Sequence, residues 1–399
     1  MRAVRFCILG AGPSGLAVAA ALLRAGCDSF VLLEKEAEAG GLCRSVMVDG
    51  SPLDIGGGHF LDLRRQRVLD FLFSYMPREE WQLFDRIAKA RIRGVEVDHP
   101  LEGNLWQLPA GDQLDFLESI ARAGSVQGTP EPDRFEEWIA WKLGDRIAEE
   151  YMLPYNRKIW SLPLSLLGSD WMHKLPSVSF RDTLQSCLER KSGGALPAHG
   201  RFLYPRSHGY GEVWSRMASS LGDRLCCGYT LRSIDVEQRT LDGAIEADVI
   251  INTIPWPVWS RLATLPESVQ VAIDDLVHTR ILVDYNPEVL PSQAHWIYEP
   301  DETLPYHRQL LRHNFVSGAR GHWTETNATR GQPTTGVRFE NDYAYPVSTA
   351  KKSKAMATIL DWARMQSIVG LGRWGTWEHI NSDVAVDLAL TCATDLLAS

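Results

Sequence analysis

The chain has 399 residues, 45% hydrophobic and 23% charged. That is roughly two to three domains with a large core, which excludes a small module, a coiled coil and a disordered chain. Lys and Arg number 41 against 50 Asp and Glu, a net charge of −9, and no basic block is present to meet a phosphate backbone. Nucleic acid is therefore not an expected partner. The 7 cysteines are odd in number and none has the Cys-x-x-Cys spacing of a zinc or redox site. No metal is expected, and a reducing cytoplasm fits best.

Arg2 and Arg5 precede an apolar run from Phe6 to Leu23, which Gly10, Gly12, Pro13, Ser14 and Gly15 interrupt. A lipid-exposed helix would be broken there, whereas a strand, a tight turn and a helix need such residues, so no membrane span is expected. Residues 3–9 read as a strand, 14–25 as a helix ended by Gly26, and 29–33 as a second strand ending at Glu34, a βαβ unit. From Arg64 to Arg190, Trp, Leu and Phe recur at spacings of three and four, which predicts a mostly helical insert. The run Ala247 to Pro255 has the continuous apolar character of a buried parallel strand that rejoins the first sheet. Residues 277–316 alternate apolar and polar, predicting antiparallel strands, and the tail from Leu371 reads as a turn and a helix. The expected fold is α/β. A discontinuous Rossmann-like domain with a parallel sheet takes residues 1–75, 191–255 and 341–399, a helical insert 76–190, and an antiparallel, substrate-side sheet 256–340.

Gly10-Ala11-Gly12-Pro13-Ser14-Gly15 fits Gly-x-Gly-x-x-Gly between strand and helix. Gly10 allows the turn, Gly12 lets backbone approach a pyrophosphate, Gly15 allows close helix–strand contact, and the helix start offers N–H groups to the anion. Glu34, followed by Lys35, stands where an acid accepts hydrogen bonds from ribose hydroxyls, which favours FAD or NAD over a 2′-phosphorylated cofactor.

Gly40-Gly41-Leu42-Cys43-Arg44-Ser45 and then Asp54-Ile55-Gly56-Gly57-Gly58-His59-Phe60 follow. This arrangement resembles the amine-oxidase and protoporphyrinogen-oxidase type of FAD fold, in which side-chain-free backbone lies beside diphosphate and flavin. Arg44 is either a diphosphate contact or a surface arginine, and His59 either a site residue or a packed loop histidine.

Further blocks narrow the resemblance. Phe135-Glu136-Glu137-Trp138, Gly144 and Tyr151 to Trp160 look like the segment leading into the substrate cleft of UDP-galactopyranose mutases. Phe202 to Pro205, Gly209, Gly211, Glu212 and Trp214 are similar to the segment after it. So are Tyr298 to Asp301, Pro305 to Arg308, and Tyr343 to Pro346. Gly372-Arg373-Trp374-Gly375, Thr376 to His379 and Asp383 resemble that family's C-terminal flavin-binding turn and helix.

The resemblance implies a flavin-dependent nucleotide-sugar mutase. Reduced FAD attacks the anomeric carbon through N5, and pyranose and furanose interconvert through a covalent flavin–sugar adduct with no net redox. An external reductant such as NAD(P)H would keep FAD reduced. On this likeness the catalytic candidates are Arg308, His59 and Arg373. The cofactor candidates are Gly10, Gly12, Pro13, Ser14, Gly15, Glu34, Lys35, Gly41, Leu42, Arg44, Gly57, Gly58, His59, Gly372, Arg373 and Asp383. Tyr155, Asn156, Trp160, Tyr204, Tyr306, Arg308, Tyr345 and His379 are the candidates on the nucleotide-sugar side, with the segment Trp160 to Trp171 for the nucleotide.

Two positions depart from the pattern. Leu203 replaces an arginine before the aromatic–proline pair, so charge for the diphosphate would have to come from Arg201, Arg206 or Arg157, and His379 replaces a tyrosine. Trp160, Trp214 and Trp377 also read as core aromatics, and Tyr155 and Asn156 as hydrogen-bonded filling. Arg308, in an alternating strand, is costly to bury without an anion. The competing classes are an FAD-dependent oxidoreductase of the amine-oxidase or protoporphyrinogen-oxidase type and an inactive FAD-binding homologue. The oligomeric state is not legible.

Overall fold

The computed structural model describes residues 1–168, 178–194 and 200–398. Its first sheet has seven strands. Arg2–Leu9 lies at the centre, parallel to Phe30–Leu33 on one side and Ile245–Asn252 on the other. Ile368–Gly370 extends the sheet, parallel to Ile245–Asn252. The alternation of Arg2–Leu9 explains its burial on both faces. Phe6 and Ile8 point to the core beneath the helices Pro13–Arg24 and Ser382–Ala398. Cys7 and Leu9 point to the opposite core with Trp256, Trp259, Ile359 and Trp362. Continuous apolar sequence is what a strand covered on both faces requires. The α/β expectation is thus met, with a parallel centre that the antiparallel strands Thr240–Leu241 and Ile234–Asp235 extend at one edge.

The second sheet also has seven strands, in the order Arg338–Pro346, His278–Asn286, His322–Asn327, Arg308–Leu310, Trp296–Tyr298, Ala88–Ile92, Val95–Asp98. All pair antiparallel except Trp296–Tyr298 with Ala88–Ile92. Residues 76–190 are therefore not wholly helical. Ala88, Ala90 and Ile92 face inward with Lys89 and Arg91 between them, a period of two that the wider Trp and Leu spacing hides. Trp81–Asp85 is a further strand, paired with Arg201–Pro205. Residues 256–274 carry helices that pack on the first sheet's core, and Arg338–Pro346 spans the expected boundary at 340.

The helices Ala110–Ala121, Phe135–Leu143 and Leu153–Trp160 share a third core around Phe116, Phe135, Ile139 and Tyr151, against Ala90, Ile92 and Val97. A wide π-helical turn, Ala148–Met152, runs directly into Leu153–Trp160, and Pro154, which has no N–H to give the preceding turn, stands just after it. That helix carries Tyr155, Asn156, Lys158 and Trp160 to the end of the second sheet. No helix among the described residues is long and apolar enough to cross a membrane.

Candidate functional site

The first glycine turn is built from backbone. Gly10 has φ +92°, a left-handed conformation, and a Cβ there would strike Thr253, whose hydroxyl donates to the carbonyls of Leu9 and Gly10 at 2.7 and 3.0 Å. A Cβ on Gly15 would overlap the Gly10 carbonyl, so helix and strand touch. A Cβ on Gly12 would meet no protein atom within 4 Å. The chain therefore leaves open space beside a helix N-terminus that no side chain caps. Glu34 is held ready by backbone: its Oε2 accepts from Ala11 N at 2.7 Å and its Oε1 from Glu36 N at 2.9 Å. Gly41 packs against Gly12, and Gly372 packs so tightly on Ser14 that any side chain would collide. Asp383, in the first turn of Ser382–Ala398, accepts at Oδ2 from Arg65 Nη1 at 2.5 Å, while its buried Oδ1 has no hydrogen-bond partner among the described residues. An open backbone cradle, a fixed carboxylate and a spare buried acceptor fit a flavin dinucleotide.

A second group of side chains meets the turn Gly56–His59. Tyr298, Arg308 and Glu325 stand directly opposite one another on three neighbouring strands. Arg308 donates through Nε and Nη2 to Glu325 Oε2 at 2.9 and 2.5 Å, and Gly58 N donates to Glu325 Oε1 at 2.9 Å. Gly57, at φ +95°, could carry no side chain because it lies against this carboxylate. Burial pushes Glu325 upward, but the Arg308 guanidinium above all, with the Gly58 N–H, outweighs it and holds the carboxyl at about 2.

His59 donates through Nδ1 to the Gly57 carbonyl at 3.1 Å, which assigns Nε2 as the acceptor. Desolvation and the Arg373 guanidinium hold it down at about 4, so it is neutral near pH 7. Arg373 donates to the carbonyls of Ile380 and Ala344 and lies over the Tyr345 ring. Tyr345 meets His379 at 4.8 Å and Trp160 at 6.2 Å between ring centroids, and Tyr155 meets Tyr298 at 5.4 Å. Both Tyr345 and His59 feel Arg308, Arg373 and Glu325 together. Two guanidiniums against one carboxylate leave the cluster one net positive charge.

Not every expected residue comes here. Tyr204 is fully buried and donates to Asp54 at 3.1 Å; it supports the turn at 209–211 from beneath. Asn156 is internal to its helix, accepting from Trp160 Nε1 at 2.8 Å and donating to Met152 O at 2.7 Å. Tyr306 packs under Lys158 rather than beside Arg308. Lys35 is exposed and pairs with Glu36, while Arg44 bonds the Gly41 carbonyl at 3.1 Å and the Leu42 carbonyl lies against Gly56. Leu203 is fully buried opposite Leu61 and Leu83, so its position faces core. Arg206 bonds Glu79 O, and Arg157 pairs with Glu302 at 3.5 Å. Of the segment Trp160 to Trp171, residues 169–171 lie outside the described residues.

Sequence reasoning missed Glu325, and it gave no role to Asp54 and His307, which stand in the motif blocks at 54–60 and 305–308. Glu325 had a signal: a carboxylate on an inward position of a strand, able to answer Arg308.

A doubly covered parallel sheet with an open glycine cradle and a fixed acid at the second strand's end defines a dinucleotide-binding enzyme fold. Residues 13–283 match the model of the flavin containing amine oxidoreductase family, and the chain belongs to that family of flavoenzymes. A stretch of 139 residues is 45% identical to the hydroxyneurosporene desaturase of Rubrivivax gelatinosus, covering 34% of this chain and 24% of that protein. The chain thus spans about a quarter of that relative's length. Among solved structures it is similar to a reduced UDP-galactopyranose mutase, with TM-score 0.90 and 21% identity over 99% of this chain and 94% of that one. It is also similar to the cyclohexylamine oxidase of Brevibacterium oxydans IH-35A, with TM-score 0.69 and 14% identity over 99% of each chain. At these identities the likeness speaks for fold alone.

Proposed function

We propose that the chain is a flavin-dependent nucleotide-sugar mutase that interconverts pyranose and furanose forms with no net redox change. The observation that carries the proposal is the net positive charge of the Arg308, Arg373 and Glu325 cluster among aromatic rings beside the glycine turn. Such a site favours an anionic substrate and repels the ammonium group of an amine. Bound reduced FAD would supply the nucleophile for the anomeric carbon.

The chain's own residues have separable tasks in this reading. Gly10, Gly12, Gly15, Gly41 and the first helix start would hold the cofactor's diphosphate, Glu34 its ribose, and Gly372 and Asp383 the turn beyond. Arg308 and Arg373 would offset the charge on a departing nucleotide diphosphate, a role worth about 3–4 kcal/mol for one preorganised donor. Tyr155, Trp160, Tyr345 and His379 would wall the sugar from water. Neutral His59, with Nε2 as acceptor, would take a hydrogen bond from a sugar hydroxyl.

Two observations favour an FAD-dependent oxidoreductase of the amine-oxidase or protoporphyrinogen-oxidase type instead. Leu203 brings no charge to the site, and Arg308 is already paired. The test is turnover of UDP-galactose and other nucleotide sugars by the flavin-loaded protein, followed by chromatography. Furanose product formed only after pre-reduction, without consumption of reductant, supports the mutase. Bleaching of oxidised flavin by an organic donor, with no furanose product, overturns it.

A further inference from the structure

Arg308 spends Nε and Nη2 on one oxygen of Glu325. If those donors turn to a diphosphate, Glu325, fully buried, keeps only the Gly58 N–H. A buried carboxylate stripped of its cation is strongly disfavoured, so either the carboxylate takes a proton itself or a neighbouring group supplies a replacement charge. The group placed to provide it is His307. Its side chain is wholly buried, its Nε2 stands 3.7 Å from Glu325 Oε2, and neither ring nitrogen has a hydrogen-bond partner among the described residues. Packing alone gives no reason for an imidazole with both nitrogens unpaired, since buried polar groups are nearly always satisfied.

We propose that His307 is a charge-compensating positioning residue: when an anionic diphosphate draws Arg308 off Glu325, His307 takes up one proton and pairs with Glu325. The ligand class rests on the nucleotide-sugar reading above. One N–H bond forms on the imidazole, the proton comes from solvent, and no electrons change hands. Before binding, Arg308 neutralises Glu325; afterwards imidazolium neutralises Glu325 and Arg308 faces the ligand.

The groups around His307 allow this. Glu325 faces it from His322–Asn327 and Arg308 from its own strand. Tyr155, with ring centroids 6.0 Å away, and Lys158 face it from Leu153–Trp160, and Glu299 N donates to its carbonyl from the strand beside it. Burial, Arg308 and Lys158 keep the unliganded imidazole neutral against Glu325, so the proton arrives with the ligand. Lys158 is itself pushed down to about 8 by burial.

The experiment is titration calorimetry of the oxidised, FAD-loaded protein with UDP-galactose near pH 7, in buffers of different ionisation enthalpy. The ligand's diphosphate diester does not titrate there, so the protons counted belong to the protein. The expected uptake approaches about one proton per ligand, with affinity weakening by up to about tenfold per pH unit between about pH 6 and 8. His307→Gln and Glu325→Gln should each abolish uptake, while His278→Gln, a histidine stacked on Tyr343 away from the pair, keeps it; flavin content confirms that each variant is folded. Binding by the wild type without uptake overturns the inference, as does uptake that survives in either His307→Gln or Glu325→Gln, or that is lost in His278→Gln. Absence of binding by UDP-galactose and by every other nucleotide sugar tried overturns the nucleotide-sugar reading and this inference with it, whereas binding without uptake overturns this inference alone.

Discussion

Arg308→Ala isolates the pair on which the site depends. Glu325 is fully buried, and the substitution leaves it with the Gly58 N–H and a histidine 3.7 Å away. Removing one partner of a buried ion pair costs about 3–5 kcal/mol. A second route gives a similar figure. Burial opposes ionisation of Glu325, yet Arg308 and its other partners hold the group at about 2 against an ordinary 4.5. At ~1.4 kcal/mol per unit, that difference is worth about 3 kcal/mol.

The sign follows from the direction. A carboxylate depressed in the folded state stabilises it above the unfolded pKa near 4.5, and that stability is lost as pH falls through about 2. In Arg308→Ala burial prevails, the carboxyl titrates upward, and the deficit against wild type shrinks as pH falls from about 7 to about 5. Urea unfolding at both pH values, followed by tryptophan fluorescence, should show about 3 kcal/mol near neutrality and less in acid. The double variant Arg308→Met, Glu325→Gln should recover most of the loss, because neither charge remains buried. A deficit below about 1 kcal/mol near neutrality, or one independent of pH, would refute the reasoning.

Three further outcomes are expected. Gly12→Val should lower flavin content at least about tenfold by absorbance near 450 nm while the apoprotein's melting temperature barely moves, since the new Cβ meets no protein atom; a fully yellow variant would contradict the cradle. Burial raises Asp54 from 3.8 to about 7 against its bonds from Ser45, Tyr204 and Tyr210. A raised carboxyl stabilises fully below its unfolded pKa and loses that as pH rises through about 7, so wild type should lose up to about 4 kcal/mol more than Asp54→Asn between about pH 4 and 8. Equal pH slopes would show that Asp54 ionises freely. Leu203→Arg, which restores the arginine expected at that position, should destabilise by about 3 kcal/mol or more in urea titration, because the site is fully buried opposite Leu61 and Leu83; unchanged stability would place position 203 at the surface.

The parts legible in sequence were those set by short-range geometry. The first turn, its helix and Glu34 fall within one βαβ unit, where spacing alone fixes which backbone approaches which. Arg308 announced that it needed an anion, but the partner lies on the next strand, and register across a sheet is set by pairing that linear spacing does not display. Tyr204 and Asn156 show the converse. Their place in a recognisable segment gives their neighbours in the chain, but not the face they present, and both turn inward. The strands Ala88–Ile92 and Val95–Asp98 were hidden because two short alternating runs sit inside a region dominated by helical spacing.

The order of strands in the first sheet bears on how the protein is made. Arg2–Leu9 is made well before its neighbour Ile245–Asn252, which follows only after the strands Ala88–Ile92 and Val95–Asp98 and the helices up to Leu153–Trp160, and Gly372, which closes on Ser14, comes later still. During synthesis the βαβ unit therefore carries an unmatched apolar edge until residues 245–252 emerge. Such long-range pairing folds slowly and exposes nascent chains to aggregation. Truncated chains that stop before residue 372 would lack one wall of the cradle, so flavin capture becomes a step that waits for the turn at Gly372 to emerge.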